Sequence, residues 1–363
     1  MSPTDPILDA PLIDPPDPEA FIRAAMRWHF GPDTGTRFWL DRVDRLGFDP
    51  LRDVTSIDDL ERFPDFCDEL RDVPVADLIP RGYTDPDIVG VFESGGTTGT
   101  PKRVVILEDW FRQAQSWSDT TLDDNDVPKG ANWIILMPSG PHLVGRMMPR
   151  TALNRGGIPF TVDLDPRWVK SLIAQGRQSE AAAYTAHVLG QARHILRSQD
   201  VRVLAISPPM LERLAEDEEL VDLVRAKIGT ILWGGAHMDA DTRHLLRSEV
   251  FPGITLIGSL GNTMILGGTR MRTSADDDLC VFDPPSPFTT FRVVDPLSGQ
   301  RVAPGERGRV VMNHVSRNFL LPNNLERDEA TRVAGLPGQV GDSVADVAPA
   351  KEIDGVAVVE GVY

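Results

Sequence analysis

Ten residues, Glu93 to Lys102, read ESGGTTGTPK. They hold three glycines, the hydroxyls of Ser94, Thr97, Thr98 and Thr100, and one lysine, with no large apolar side chain to fill a core. A chain containing such a run must carry it on a loop. Glycines let successive backbone N–H groups converge on an anion, hydroxyls add donors, and lysine supplies a compact positive charge. Polyphosphate is the guest these groups suit. The spacing excludes the commoner phosphate loops: Pro101 precedes Lys102 and Arg103 follows it, which breaks the Gly-Lys-Ser/Thr of a Walker loop. The dinucleotide pattern G-x-G-x-x-G, with its immediate helix, is also absent.

At 363 residues the chain can bury a large core, and its length suggests two domains or one large α/β domain. A net charge of −17 argues against nucleic acid or an anionic membrane as partner. Positive charge for an anion must then be concentrated locally, as at Lys102 and Arg103. Two cysteines, Cys67 and Cys280, are too few for a disulfide framework or a cysteine-based zinc site. The opening MSPTDPILDAPLIDPPDPEA has aspartates and prolines where a signal peptide has lysines and an apolar core, and no apolar run reaches spanning length. The expectation is a soluble protein of the reducing cytoplasm.

Along the chain, residues 1–16 read as loose. Asp17-Pro18 opens a helix through Phe21, Ala25 and Trp28 to Gly31; a second is expected through Phe38, Val43 and Leu46, and a third, capped by Ser56, over 57–63. From Ile88 short apolar runs alternate with helical patterns. Strands are predicted at 88–92, 103–107, 133–137, 203–206, 230–233 and 254–257, with helices near 110–121, 177–198 and 239–250. Strands apolar throughout are buried on both faces, which predicts a layered α/β core with a mostly parallel sheet. FTTFRVVDPLSGQRVAPGERGRVVMN then predicts strands at 288–294 and 308–312 joined by turns. The expected organisation is 1–16 flexible, 17–268 helical start and α/β core, 269–347 β-rich subdomain and 348–363 a short tail.

The Glu93–Lys102 string resembles the phosphate loop of the adenylate-forming superfamily, the acyl-CoA ligases and relatives that activate carboxylates with ATP. RFWLDRVDRLGFDPLRDVTSIDDLERFP resembles the helical start of its phenylacetate-CoA-ligase-like branch. The resemblance covers about residues 35–347 and implies the large N-terminal domain of these enzymes. It also implies roles. The loop, with Ser94, Gly95, Gly96, Thr97, Thr98, Gly99, Thr100 and Lys102, would grip the β- and γ-phosphates. Gly234, Gly235 and Ala236, with Ser259, Leu260, Gly261 and Asn262, would sandwich adenine, and Thr263 would contact the α-phosphate.

Leu260 stands where the family has tyrosine, and Met264 where a glutamate helps bind magnesium; a thioether cannot replace a carboxylate on a hard cation. His142, in the loop after 133–137, would lie beside the substrate carboxylate. Asp342, in a Gly-Asp step, would hold the ribose, with Asp328 as its rival. No residue is assigned to a metal.

Other features read as inert. Ser259 lacks a nucleophile elbow, His187 and His194 lack companion ligands, and 216–219 and 276–278 are charge runs. Family members continue past the Gly-Asp step into a small lid domain with a catalytic lysine, whereas this sequence ends at Tyr363 with Lys351 as the last lysine. The lid is therefore expected to be absent, as in the short ligase-like proteins of phenazine antibiotic pathways. Two functions follow from the resemblance. One is ATP-dependent activation of an aromatic carboxylic acid as acyl adenylate, AMP being the later product, with transfer completed by an acyl-accepting partner. The other is a module that binds nucleotide or acyl adenylate without making it.

Overall fold

The computed structural model describes residues 5–95, 99–272 and 279–350, and the backbone of 352–353 and 356–357. In chain order the elements used below are α1 (Pro18–Phe30), β1 (Ile88–Glu93), β2 (Arg103–Leu107), α2 (Glu108–Asp124), β3 (Trp133–Leu136), α3 (Leu143–Asn154), β4 (Pro159–Thr161), α4 (Gln178–Ser198), β5 (Val203–Ile206), β6 (Thr230–Gly234) and β7 (Thr255–Ser259). They continue as β8 (Val281–Asp283), β9 (Thr289–Val294), β10 (Arg307–Val315), β11 (Leu320–Val333) and β12 (Ser343–Pro349). The chain forms two compact units that interleave in sequence. One is built from Met1–Trp117, Asn262–Thr269 and Val281–Ile353, the other chiefly from Ser118–Gly261 and Arg270–Cys280.

The second unit is the predicted parallel sheet, in the order β4-β3-β5-β6-β7. Trp133 pairs with Pro159 and Val203, Val203 with Thr230, and Thr230 with Thr255. β3, β5 and β6 are buried along their whole length. On one face Trp133, Ile135, Val203, Ala205, Leu232 and Ile257 form a single apolar cluster with Leu122 and Val127. Burial of each large side chain there contributes about 2 kcal/mol, which is why these runs carry no polar alternation. The chain goes outward from β3 to β4 and returns to β5 on β3's other side. The sheet's topological switch therefore lies between β3 and β5, where open parallel sheets place their ligands, beyond the strands' carboxyl ends.

In the first unit α1 begins as its sequence predicts: the Asp17 carboxylate accepts from the Ala20 N–H at 2.9 Å and Pro18 opens the first turn. Its buried face holds Phe21, Ile22, Ala25 and Trp28, and the Phe21 ring meets Phe288 edge-on at 4.6 Å. The next two expected helices shrink to single turns, Arg37–Leu40 with Val43–Arg45, and Asp58–Arg62. The reason is local competition. The Asp59 carboxylate accepts from the backbone N–H groups of Thr55 and Ser56, each at 3.0 Å, so Ser56 caps nothing and Ile57 takes the position before the turn.

β8, β12, β11, β10 and β9 lie side by side in that order, with antiparallel pairing. β9 matches its prediction to within one residue, and β10 extends its own at both ends. Among the described residues no helix is long and apolar enough to cross a membrane.

Candidate functional site

β1 and β2 pair antiparallel, with Glu93 opposite Arg103 and their side chains joined at 2.9 Å. The Gly/Thr run is therefore the loop of a hairpin. Its two ends are tied together: the Ser94 N–H donates to the Lys102 carbonyl at 2.9 Å, and the Lys102 N–H donates to Ser94 Oγ at 3.0 Å. Ser94 thus acts as the clasp, while Gly95, Gly99 and Thr100 are exposed. Gly99 has φ +129°, a conformation that side-chain-bearing residues rarely adopt. Gly96, Thr97 and Thr98 lie outside the described residues, as do 276–278 and Lys351.

The same unit brings Thr263 to the root of this loop. Its hydroxyl donates to the Glu93 carbonyl at 3.4 Å, although 170 residues separate them. Thr263 opens a single turn, Thr263–Ile265, in which Asn262 Oδ1 accepts the Met264 N–H at 2.8 Å. Met264 itself is 2% exposed. It offers a metal neither an oxygen nor an accessible surface, and among the described residues no group of three His, Cys, Asp or Glu could hold an ion. Among the described residues, then, no group fits the magnesium position implied by the resemblance.

Lys102 turns its ammonium toward the segment Cys67–Arg71. Nζ lies 3.2 Å from Cys67 Sγ and 3.4 Å from Asp68 Oδ1. Burial works against the Lys102 charge, but the carboxylates of Glu326 and Asp68 favour it, and its pKa is held above the ordinary lysine value. Burial pushes the Cys67 thiol up to about 12, so it stands beside the ammonium as a neutral S–H. Arg71 donates to the Thr100 carbonyl and, at 3.0 Å, to Asp68. Sequence reasoning missed Asp68 and Arg71. Their i,i+3 spacing marks a helical turn, but nothing in the sequence ties that turn to a loop some thirty residues later.

Asp342 is placed differently from its expected part. It is 2% exposed, and its carboxylate accepts from Arg301 Nε and Nη2, both at 3.1 Å, from Arg332 Nε at 2.8 Å and from the Val293 N–H at 3.2 Å. A carboxylate has about four acceptor positions, and four protein donors fill them. That occupancy speaks against the ribose contact. The preceding Gly341 is needed for packing: its φ is +85°, and a Cβ there would stand 2.9 Å from the Phe291 carbonyl. Asp328 lies partly buried in β11, 3.6 Å from Arg327.

In the parallel-sheet unit the two expected adenine turns are neighbours. Gly234 pairs with Ser259 at the carboxyl ends of β6 and β7, so close that a Cβ on Gly234 would meet the Ser259 carbonyl at 2.5 Å. Gly235 follows with φ +82° and is exposed, Ala236 and Leu260 are half-buried, and Gly261 is exposed. One residue pair back, Trp233 lies over Gly258, where a Cβ would stand 2.6 Å from the indole. His142 is half-buried at the N-terminus of α3, just past the carboxyl end of β3 and so at the topological switch. His187 and His194 are both exposed on α4.

No family model and no curated protein matches this sequence. Solved structures do. The 2-hydroxyisobutyryl-CoA ligase in its postadenylation state with 2-HIB-AMP is 14% identical, with a TM-score of 0.61 over 93% of this chain and 68% of that one. The open conformation of the same ligase with 2-HIB-AMP and CoA gives 13%, 0.59, 94% and 76%. ATP-bound MatB from Rhodopseudomonas palustris is 17% identical, with a TM-score of 0.48 over 76% of this chain and 52% of that one. The chain thus spans about half the length of the MatB structures it matches. The likeness to the hydroxyisobutyryl-CoA ligase shows the fold: a parallel α/β core with a β-rich portion, as in the N-terminal domain of adenylate-forming enzymes.

Proposed function

We propose that this chain binds ATP and activates a small carboxylic acid as an acyl adenylate. The observation that carries the reading is the placement of Thr263, whose hydroxyl reaches the Glu93 carbonyl at the foot of a Gly/Thr loop clasped by Ser94 and Lys102. Two segments far apart in sequence, each resembling a phosphate-contacting piece of adenylate-forming enzymes, thereby meet within one compact unit.

In this reading Lys102 and the loop hydroxyls neutralise the β- and γ-phosphates, and Thr263 donates to the α-phosphate as carboxylate oxygen replaces pyrophosphate. The open glycines at the ends of β6 and β7 accept the flat adenine, because they let a base approach the backbone. His142, at the switch point of the sheet, serves the acid. The acid is proposed to be aromatic, after the phenylacetate-CoA-ligase-like start of the sequence, and a partner protein is proposed to take the acyl group. The 2-hydroxyisobutyryl-CoA ligase structures carry 2-HIB-AMP and CoA, which supports adenylate chemistry in general terms only.

Carboxylate-dependent exchange of labelled pyrophosphate into ATP tests this. Exchange with at least one of a panel of aryl and short hydroxy acids is the expected outcome; ATP binding with no exchange across the panel would overturn turnover and leave the second reading. That second reading, a nucleotide-binding module, is favoured by one observation, the buried Met264 where the family's magnesium carboxylate would stand.

A further inference from the structure

The side chains around the loop exit are arranged in the reverse of an ordinary surface ion pair. Arg71 and Lys102 are sunken, their side chains 17% and 18% exposed, whereas the Asp68 carboxylate that bridges them is 81% exposed. Oδ1 of Asp68 is 3.0 Å from Arg71 Nη2 and 3.4 Å from Lys102 Nζ. One anion thus sits on the solvent side of two cations. A bridge of this kind is weak, since water screens an exposed carboxylate from both of its partners.

The cations have partners besides Asp68. Arg71 also donates to the Thr100 carbonyl, its Nη1 running beside Gly99, and Lys102 is fixed by the hydrogen bond of its own N–H to Ser94 and by Cys67 at 3.2 Å. Partial burial raises the Asp68 pKa, but Lys102 and Arg71 outweigh it and hold the carboxyl below its ordinary range, so the bridge is ionised at neutral pH.

We propose that Arg71 and Lys102 form a two-cation anion site at the exit of the loop, which Asp68 occupies in the resting protein and which pyrophosphate, free or as the terminal phosphates of ATP, takes over by displacing that carboxylate. The inference rests on the nucleotide reading above and adds two residues to it. A guanidinium presents parallel N–H donors to two phosphate oxygens, and a second charge beside it raises affinity for a multiply charged anion over a single carboxylate.

The test uses the whole chain and two probes, inorganic pyrophosphate and AMP, by titration calorimetry. Asp68→Asn keeps the shape and removes the competing charge, so pyrophosphate should bind about threefold tighter or better. Arg71→Gln should bind it about tenfold more weakly, with Arg71→Lys between. AMP affinity should move with none of them. A purely structural bridge would give the opposite sign for Asp68→Asn, and unchanged or weaker pyrophosphate binding in that variant overturns the proposal. So does unchanged binding in Arg71→Gln; should that variant fail to fold, Asp68→Asn decides alone. Wild-type protein that binds pyrophosphate with these shifts but not AMP would sink the nucleotide reading and leave the anion site standing. AMP binding without pyrophosphate binding would do the reverse.

Discussion

Met264 occupies the position where the resemblance would put a glutamate, and its burial changes what a substitution there can be expected to do. From sequence, Met264→Glu looks like the restoration of a metal ligand. At 2% exposure it instead places a carboxylate among packed side chains, which costs several kcal/mol unless the group takes up a proton. The expected outcome is a fall in Tm of several degrees at pH 7, shrinking toward pH 5 as the glutamate protonates. An unchanged Tm with stronger magnesium binding would mean that residue 264 faces the nucleotide. Asp342 allows a similar separation. Replacing it by Ala strips Arg301 and Arg332, 35% and 20% exposed, of the buried anion they share, a loss of about 1–3 kcal/mol. Thermal unfolding should register it directly. A ribose contact alone would weaken AMP binding and leave Tm unmoved.

Among the elements, β6 and β7 show most sharply how the sheet and the adenine turns depend on one another. Their carboxyl ends are packed so tightly that a Cβ on either of two glycines would collide with a neighbour. Gly258→Ala would drive a methyl group to 2.6 Å from the Trp233 ring, and Gly234→Ala to 2.5 Å from the Ser259 carbonyl. The indole can shift, at about 1–3 kcal/mol for an overpacked site, whereas the strand backbone cannot without parting β6 from β7. Gly258→Ala is expected to fold, with altered tryptophan emission and lower Tm; Gly234→Ala is expected to be the more damaging of the pair. The reverse ranking would show that the strand ends give way before the ring does.

These strands were legible in the sequence because TILW and ITLI each set three apolar residues beside a single threonine, as strands of a helix-covered sheet do. β11 was not. Its LERDEATRV half alternates poorly and carries five charges, and it is held by long pairings with β10 and β12 that local pattern cannot show. The charge run at 216–219 hid a cap: Asp217 accepts the Leu220 N–H at 3.0 Å and pairs with Arg193. Of the candidate site, the loop and the glycine turns could be seen as motifs. The cations' counter-ion, Asp68, could not, because it comes from a separate turn brought near only by folding.

At the scale of the whole molecule, acid sensitivity should be governed by two histidines that converge on one residue of the β-rich unit. His29 of α1 hydrogen-bonds the Ser316 carbonyl through Nε2 at 2.7 Å, and His314 of β10 reaches Ser316 Oγ through its own Nε2 at 2.8 Å. Both are fully buried. Burial lowers His29 to about 4, opposed by its bond to Ser316, and lowers His314 to about 3. In the unfolded chain each would titrate near 6.5, so the folded state holds them neutral while the unfolded state takes up protons first. Their contribution to stability is therefore complete above pH 6.5. It declines as pH falls, by about 1.4 kcal/mol per pH unit for each histidine, until about pH 4 for His29 and about pH 3 for His314. Carboxylates held below their ordinary range, such as Asp59 at about 2, add to the loss only below about pH 4. Tm should thus be level from pH 8 to 7 and fall steeply from 6 to 4. A His29→Gln, His314→Gln double variant should be less stable at pH 7 but show a flatter decline over that interval. A wild-type Tm that stays level down to pH 5 would mean that the histidines titrate normally, and hence that α1 does not seal the Ser316 site on which they converge.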